Sequence, residues 1–243
     1  MSFDRRNERK NRMTARMLHR SLAVAALCAG TTVFAVGSNV AAPMPVDSPV
    51  YAPDSFMKGH SYAEWQAIWW QWILAIPVGD NPFNPDAPFD VTKGQTGDVW
   101  FLAGLFGTNE RTCTIPKGKS LFLPLANGEW SDLEGFPTEA DQRAQAKAAT
   151  DTAVVDSLFC TIDGNPVANL GSFRHATAQF TFTAPTPWIF GDVGGTGHSV
   201  DDGYYVMLKK LSPGTHTLHF GVTFDFGGGN TASIDMTYHL TQE

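Results

Sequence analysis

Apolar residues are distributed along this chain in three regimes. An uncharged apolar run covers residues 22–36, a helix-period stretch covers 61–76, and from residue 98 onward apolar and polar positions alternate in short segments. The second regime opens on Ser61-Tyr62-Ala63-Glu64, the capping-box pattern in which the serine hydroxyl accepts from the N–H of Glu64 and the glutamate reaches back to Ser61. A helix is predicted from there to Ile76, where Pro77 stops it. At 100° per residue, Tyr62, Trp65, Ile68, Trp69, Trp72, Ile73 and Ile76 form one apolar stripe. Ala63, Ala67, Trp70 and Leu74 lie on the opposite side, so the helix is expected to be sandwiched within the protein or against a partner.

The third regime has the period of two that marks strands. It predicts them over 98–103, 112–115, 120–125, 157–162, 176–183, 204–211, 215–224 and 233–240, with residues 116–119 joining the second and third. In the last, Ile234, Met236, Tyr238 and Leu240 alternate with Asp235, Thr237, His239 and Thr241, as in an antiparallel strand with one buried face. The alanine-rich residues 138–150 predict a surface helix. Residues 78–97 and 190–203 read as proline- or glycine-rich loops. The fold expected is mainly β: an antiparallel β-sandwich, jelly-roll or immunoglobulin-like, with an N-terminal Trp-rich helix and one further surface helix. Residues 61–243 are read as one domain, preceded by an extended lead-in over 43–60.

The first regime changes the chemistry of the rest. Arg5, Arg6, Arg9, Lys10, Arg12, Arg16 and Arg20 precede the apolar run, opposed only by Asp4 and Glu8. A basic stretch followed by a short apolar one has the form of a secretory signal, here 1–42 with cleavage between about 35 and 42, and implies a secreted or periplasmic protein. The run is shorter than the ~20 residues that span a bilayer, so no membrane span is expected after its removal. The whole chain carries a net charge of −7; with those nine charged residues removed, the remainder is near −12. Such a surface excludes nucleic acid, which needs cationic contacts. Outside the cytosol, Cys113 and Cys160 are expected to form one disulfide.

Candidate chemistry is sparse. Trp70, the tryptophan least explained by a single sheet contact, is the expected ligand platform, against the reading that the Trp cluster is all core. His60, Glu64 and Gln71 make a polar edge suited to proton transfer or ligand hydrogen bonds, unless the cap and solvent account for them. Glu129, Trp130 and Asp132 lie in an acidic run through Glu134 that suits a sugar site, a calcium ion or glycoside hydrolysis, and equally a solvated loop. His216 and His219 stand three apart on a strand and so point to opposite faces, which argues against a shared metal. No cofactor and no metal are expected. The stretches Ser61-Tyr62-Ala63-Glu64-Trp65 with Trp69-Trp70-Gln71-Trp72, Val99-Trp100-Phe101-Leu102-Ala103-Gly104, and Leu211-Ser212-Pro213-Gly214-Thr215-His216-Thr217-Leu218-His219-Phe220 resemble a group of uncharacterised exported bacterial proteins. The resemblance implies export and brings no assigned activity. Three functions are expected in order: a non-enzymatic binder of carbohydrate or another ligand, a carboxylate-dependent secreted hydrolase, and a structural component of an envelope assembly.

Overall fold

A computed structural model describes residues 48–87, 90 and 92–243. The expected signal, residues 1–42, lies outside the described residues.

The helix forms where the capping box predicts it, as α1 (Tyr62–Ala75), and both halves of the box are made. Ser61 N–H donates to Glu64 Oε2 at 2.7 Å, and Glu64 N–H donates to Ser61 Oγ at 3.4 Å. Ser61→Ala is expected to lower stability by about 1 kcal/mol, readable in urea unfolding, because it leaves a first-turn N–H without its cap. The second helix, α2 (Glu139–Thr150), is likewise capped, by Thr138 accepting from Asp141 N–H.

Among the described residues the strands are β1 (Val99–Phe101), β2 (Gly107–Ile115), β3 (Ser120–Ser131), β4 (Phe159–Ile162), β5 (Asn165–Pro166), β6 (Arg174–Ala176), β7 (Phe180–Ala184), β8 (Gly195–Leu208), β9 (Gly214–Asp225) and β10 (Thr231–Gln242). One sheet runs β1-β3-β8-β6, with β7 also paired to β8; the other runs β10-β9-β4-β5. The protein is thus mainly β, two sheets packed as a sandwich. The sheets are not purely antiparallel, because β1 pairs parallel with β3. The lead-in contributes too: Val50 bridges Leu208, and Lys209 N–H donates to the Pro49 carbonyl, extending the β6/β7 edge of β8.

Residues 116–119 join β2 to β3, as expected, and carry the chain between sheets, since β3 pairs with β8 while β2 lies alongside β10, with Thr108 bonded to Asp235 and Glu243 N–H donating to the Ile115 carbonyl. Two expectations need correction. Residues 195–203, read as loop, are the first part of β8, the longest strand. The disulfide is not formed: Cys113 and Cys160 are both buried free thiols, pushed up to about 12 by burial. Cys113 lies on β2 and Cys160 on β4, which is paired with β9 and β5.

The β3–β8 pair organises the protein. One face of it lies under α1, which sets Trp65 against Phe122 and Trp69 against Tyr205, with ring centroids 6.3 and 5.9 Å apart. The other face packs toward the second sheet and, at its far end, against α2. There a Cβ on Gly128 would stand 2.7 Å from the Ala149 Cβ, so only glycine lets the helix approach. The second stripe of α1 is covered by the chain itself: Trp70 and Leu74 are buried, Gln71 Nε2–H donates to the Thr181 carbonyl of β7, and Trp70 meets Phe83 and Phe190. That stripe is therefore not an open partner surface, and the reason for an envelope-assembly role goes with it.

Candidate functional site

Along β8, Asp201 and Asp202 point to opposite faces, as neighbours on a strand must. Asp202 is fully satisfied. Arg174 grips it with Nε–H to Oδ1 at 2.8 Å and Nη2–H to Oδ2 at 3.1 Å, and also reaches Asp151 at 2.8 Å. Asp201 has no such cation. It faces α1, directly opposite Glu129 across the antiparallel ladder, and both side chains are completely buried.

Around this pair the α1-facing side of the sheet is polar. Ser199 and Ser131 flank it at one end, Asn127 and Tyr205 at the other. Asn127 Nδ2–H donates to the Tyr205 hydroxyl at 2.7 Å, which leaves the phenolic proton to turn toward Asp201. The Trp70 indole N–H also faces Asp201. Both groups favour its anion, yet neither brings an Asp201 oxygen into hydrogen-bonding geometry, and burial outweighs them, so its carboxyl is held well above the usual range. Glu129 is likewise raised, first by burial and then by the negative charge of Glu134, with Asp201 and Asp132 adding to it.

The Ser199 hydroxyl gives an independent sign of the proton on Glu129. Its oxygen contacts both Glu129 Oε1 and the Trp130 carbonyl, the latter at 2.8 Å. A hydroxyl has one proton and the carbonyl can only accept. Both contacts are hydrogen bonds only if Glu129 donates to Ser199 and Ser199 donates to Trp130. Glu129 Oε2 finds no partner among the described residues.

Of the residues singled out in the sequence, Trp70, Glu129 and Asp132 come together. Asp132 sits at the rim, accepting from His198 N–H at 2.9 Å and holding His198 Nδ1 at 3.0 Å. The others disperse. Glu64 is spent in the cap and lowered by it; His60 lies edge-on to Trp65; Gln71 is tied to β7. Trp130 is turned to the opposite face, its indole N–H donating to Gln145 of α2 at 3.3 Å. His216 and His219 are apart, as expected, each bound to its own carboxylate: Asp163 at 2.7 Å and Asp235 at 2.7 Å. Among the described residues no group of three His, Cys, Asp or Glu stands ready to hold a metal.

Asp201 and Ser199 were missed in the sequence because residues 190–203 look like a glycine loop; Tyr205 falls in the strand expected over 204–211, with nothing local to mark it as part of a site. The glycines serve close packing within a strand. A Cβ on Gly203 would lie 2.7 Å from Asn127 Cβ, and one on Gly197 would lie 2.7 Å from Asp132 Oδ1. The available signal was an acidic doublet, Asp201-Asp202, separated only by Gly203 from the apolar run 204–208.

Outward from the acids, Trp70 lies beneath Phe83 and Phe190, whose rings are half-buried and 6.3 Å apart. The site is thus a column: aromatic rings near the surface, an indole below them, and two buried acids at the base. No family model and no curated protein matches the sequence. Among solved structures, that of PbICP-C in complex with falcipain-2 is 14% identical over 60% of this chain and 100% of its own, with a TM-score of 0.23. The solution structure of Amebosin is 10% identical over 60% of this chain and 100% of its own, with a TM-score of 0.21. Likenesses this slight bear on neither fold nor function.

Proposed function

We propose that this is an exported, non-enzymatic β-sandwich that binds carbohydrate at the column over Glu129 and Asp201. Export rests on the basic and then apolar pattern of residues 1–36. The binding reading is carried by one observation: Trp70 and Glu129, far apart in the chain, meet at Asp201 on a single face of the sheet. A protonated carboxyl both donates and accepts, as sugar hydroxyls do. Aromatic rings such as Phe83 and Phe190 offer flat apolar faces to the C–H side of a sugar ring. A few convergent polar groups beneath an aromatic lining is the common form of a small-ligand site.

Retention of the purified protein on a glycan array and on isolated cell-wall polysaccharide tests this. Phe190→Ala and Trp70→Ala are expected to weaken binding by about tenfold or more, equivalent to ~1.4 kcal/mol. Absence of retention on every glycan, or wild-type retention by Phe190→Ala, overturns it.

The hydrolytic reading keeps one supporting feature. Two buried acids stand directly opposite one another on paired strands, and a pair of carboxyls is what glycoside hydrolysis uses. The pair is then Glu129 with Asp201, rather than with Asp132. Turnover of glycosides that Glu129→Gln and Asp201→Asn both abolish selects this reading over simple binding.

A further inference from the structure

We propose that Glu129 and Asp201 form the charged half of a calcium site, completed by neutral oxygens of the same sheet face. This builds on the ligand-binding reading of the same residues but is tested separately from it. Four acids converge here from two strands and the turn that follows β3: Glu129, Asp132, Glu134 and Asp201. His198 lies at the rim on Asp132, and the α1 residues above Glu129 and Asp201, Gln66 and Trp70, carry no charge. Clustered acids alone would be weak grounds. The second observation is the buried Glu129 Oε2, which has no hydrogen-bond partner, beside an Asp201 whose two oxygens both fall short of hydrogen-bonding geometry. A native buried polar atom of this kind points to a ligand or ion.

The chemistry selects the ion. Every side-chain ligand offered is oxygen, which suits a hard cation and not zinc or copper. Calcium takes six to eight oxygens in adaptable geometry, whereas magnesium demands a regular octahedron and keeps its waters. Two carboxylates can supply two oxygens each. Ser199 Oγ, already at Glu129, and the side-chain oxygen of Asn127, one pleat along the same strand, are the neutral candidates. With only two carboxylates in direct contact, the site needs no set of three acidic or histidine ligands. The Trp70 N–H and the Tyr205 hydroxyl, which face Asp201 without bonding it well, become the outer donors that orient a ligating carboxylate. Calcium would displace the proton on Glu129 and leave the Ser199 hydroxyl donating to the Trp130 carbonyl.

The experiment is thermal unfolding of the purified protein at pH 7.5 in EDTA and in millimolar calcium chloride, with sodium chloride matched for ionic strength. Saturating calcium is expected to raise Tm by about 5–10 °C. Terbium, a calcium surrogate, is expected to luminesce when the nearby tryptophans are excited. Glu129→Gln and Asp201→Asn should remain folded in EDTA and lose both responses. No Tm shift in wild type, or an equal shift in Glu129→Gln, overturns the proposal. Phe190→Ala separates the two readings of the site: it should lose glycan retention and keep the full calcium shift.

Discussion

In EDTA, wild-type stability should fall as pH rises above the ordinary carboxylate range, and Glu129→Gln or Asp201→Asn should flatten that fall. Burial raises both carboxyls above their usual values, so the folded protein holds protons that the unfolded chain releases. The sign follows from linkage. For a group raised in the folded state, its contribution is complete below the unfolded pKa and is lost as pH rises through the folded one. Between its unfolded and its folded pKa each acid removes up to about 1.4 kcal/mol per pH unit. Two acids acting together are a large effect against a typical total of about 5–15 kcal/mol. Other groups do not mimic it. The lowered carboxyls of Asp90, Asp151 and Asp163 lose their contribution only as pH falls through their folded values, below the window. His216, raised mainly by its hydrogen bond to Asp163, does lose stability with rising pH, but equally in wild type and variant. The difference between the two urea-unfolding series therefore isolates the buried pair. At pH 8 the Glu129→Gln protein should be the more stable one. Parallel pH curves for wild type and both variants would mean that the acids are ionised in the folded state, against both their burial and the Ser199 geometry.

Those acids show where local pattern stops being informative. The capping box and the helix period placed α1 to within a residue, because both are interactions between near neighbours. The alternation in β10 likewise survived in full, with Met236, Tyr238 and Leu240 inward. What failed depends on contacts distant in the chain. Nothing near Gly197 or Gly203 reveals that Asp132 and Asn127 crowd them across a sheet, so a strand passed for a loop. The cysteines looked like natural partners from their number and setting, yet each is buried as a free thiol on a different strand. Glu129 was visible as an acid in an acidic run. Its distinguishing property, burial opposite a second acid, exists only once β3 and β8 are in register.

Trp69→Ala should be the most damaging single truncation in α1, lowering stability by about 3–5 kcal/mol, the range for emptying a fully buried aromatic site. Trp69 is wholly buried. Its ring meets Trp70 at 5.0 Å, Trp72 and Phe83 at 5.9 Å, and Tyr205 at 5.9 Å. Its indole N–H donates to the Leu102 carbonyl at 2.9 Å, tying the helix to the end of β1. The substitution leaves both a cavity and a buried carbonyl without its donor, a loss of about 1–3 kcal/mol that overlaps the first. A domain of this size shifts roughly 2–4 °C per kcal/mol, so Tm should drop by about 6–20 °C. Trp72 is the internal comparison. It is partly exposed and donates to the Lys93 carbonyl of a surface loop, so Trp72→Ala should be distinctly milder. Trp69→Phe should recover more of the lost stability than Trp69→Leu, because its ring can keep edge contacts with Trp70 and Tyr205. If Trp69→Ala and Trp72→Ala proved equally mild, α1 could not be the lid that excludes water from Asp201 and Glu129, and the raised carboxyls would lose their physical cause.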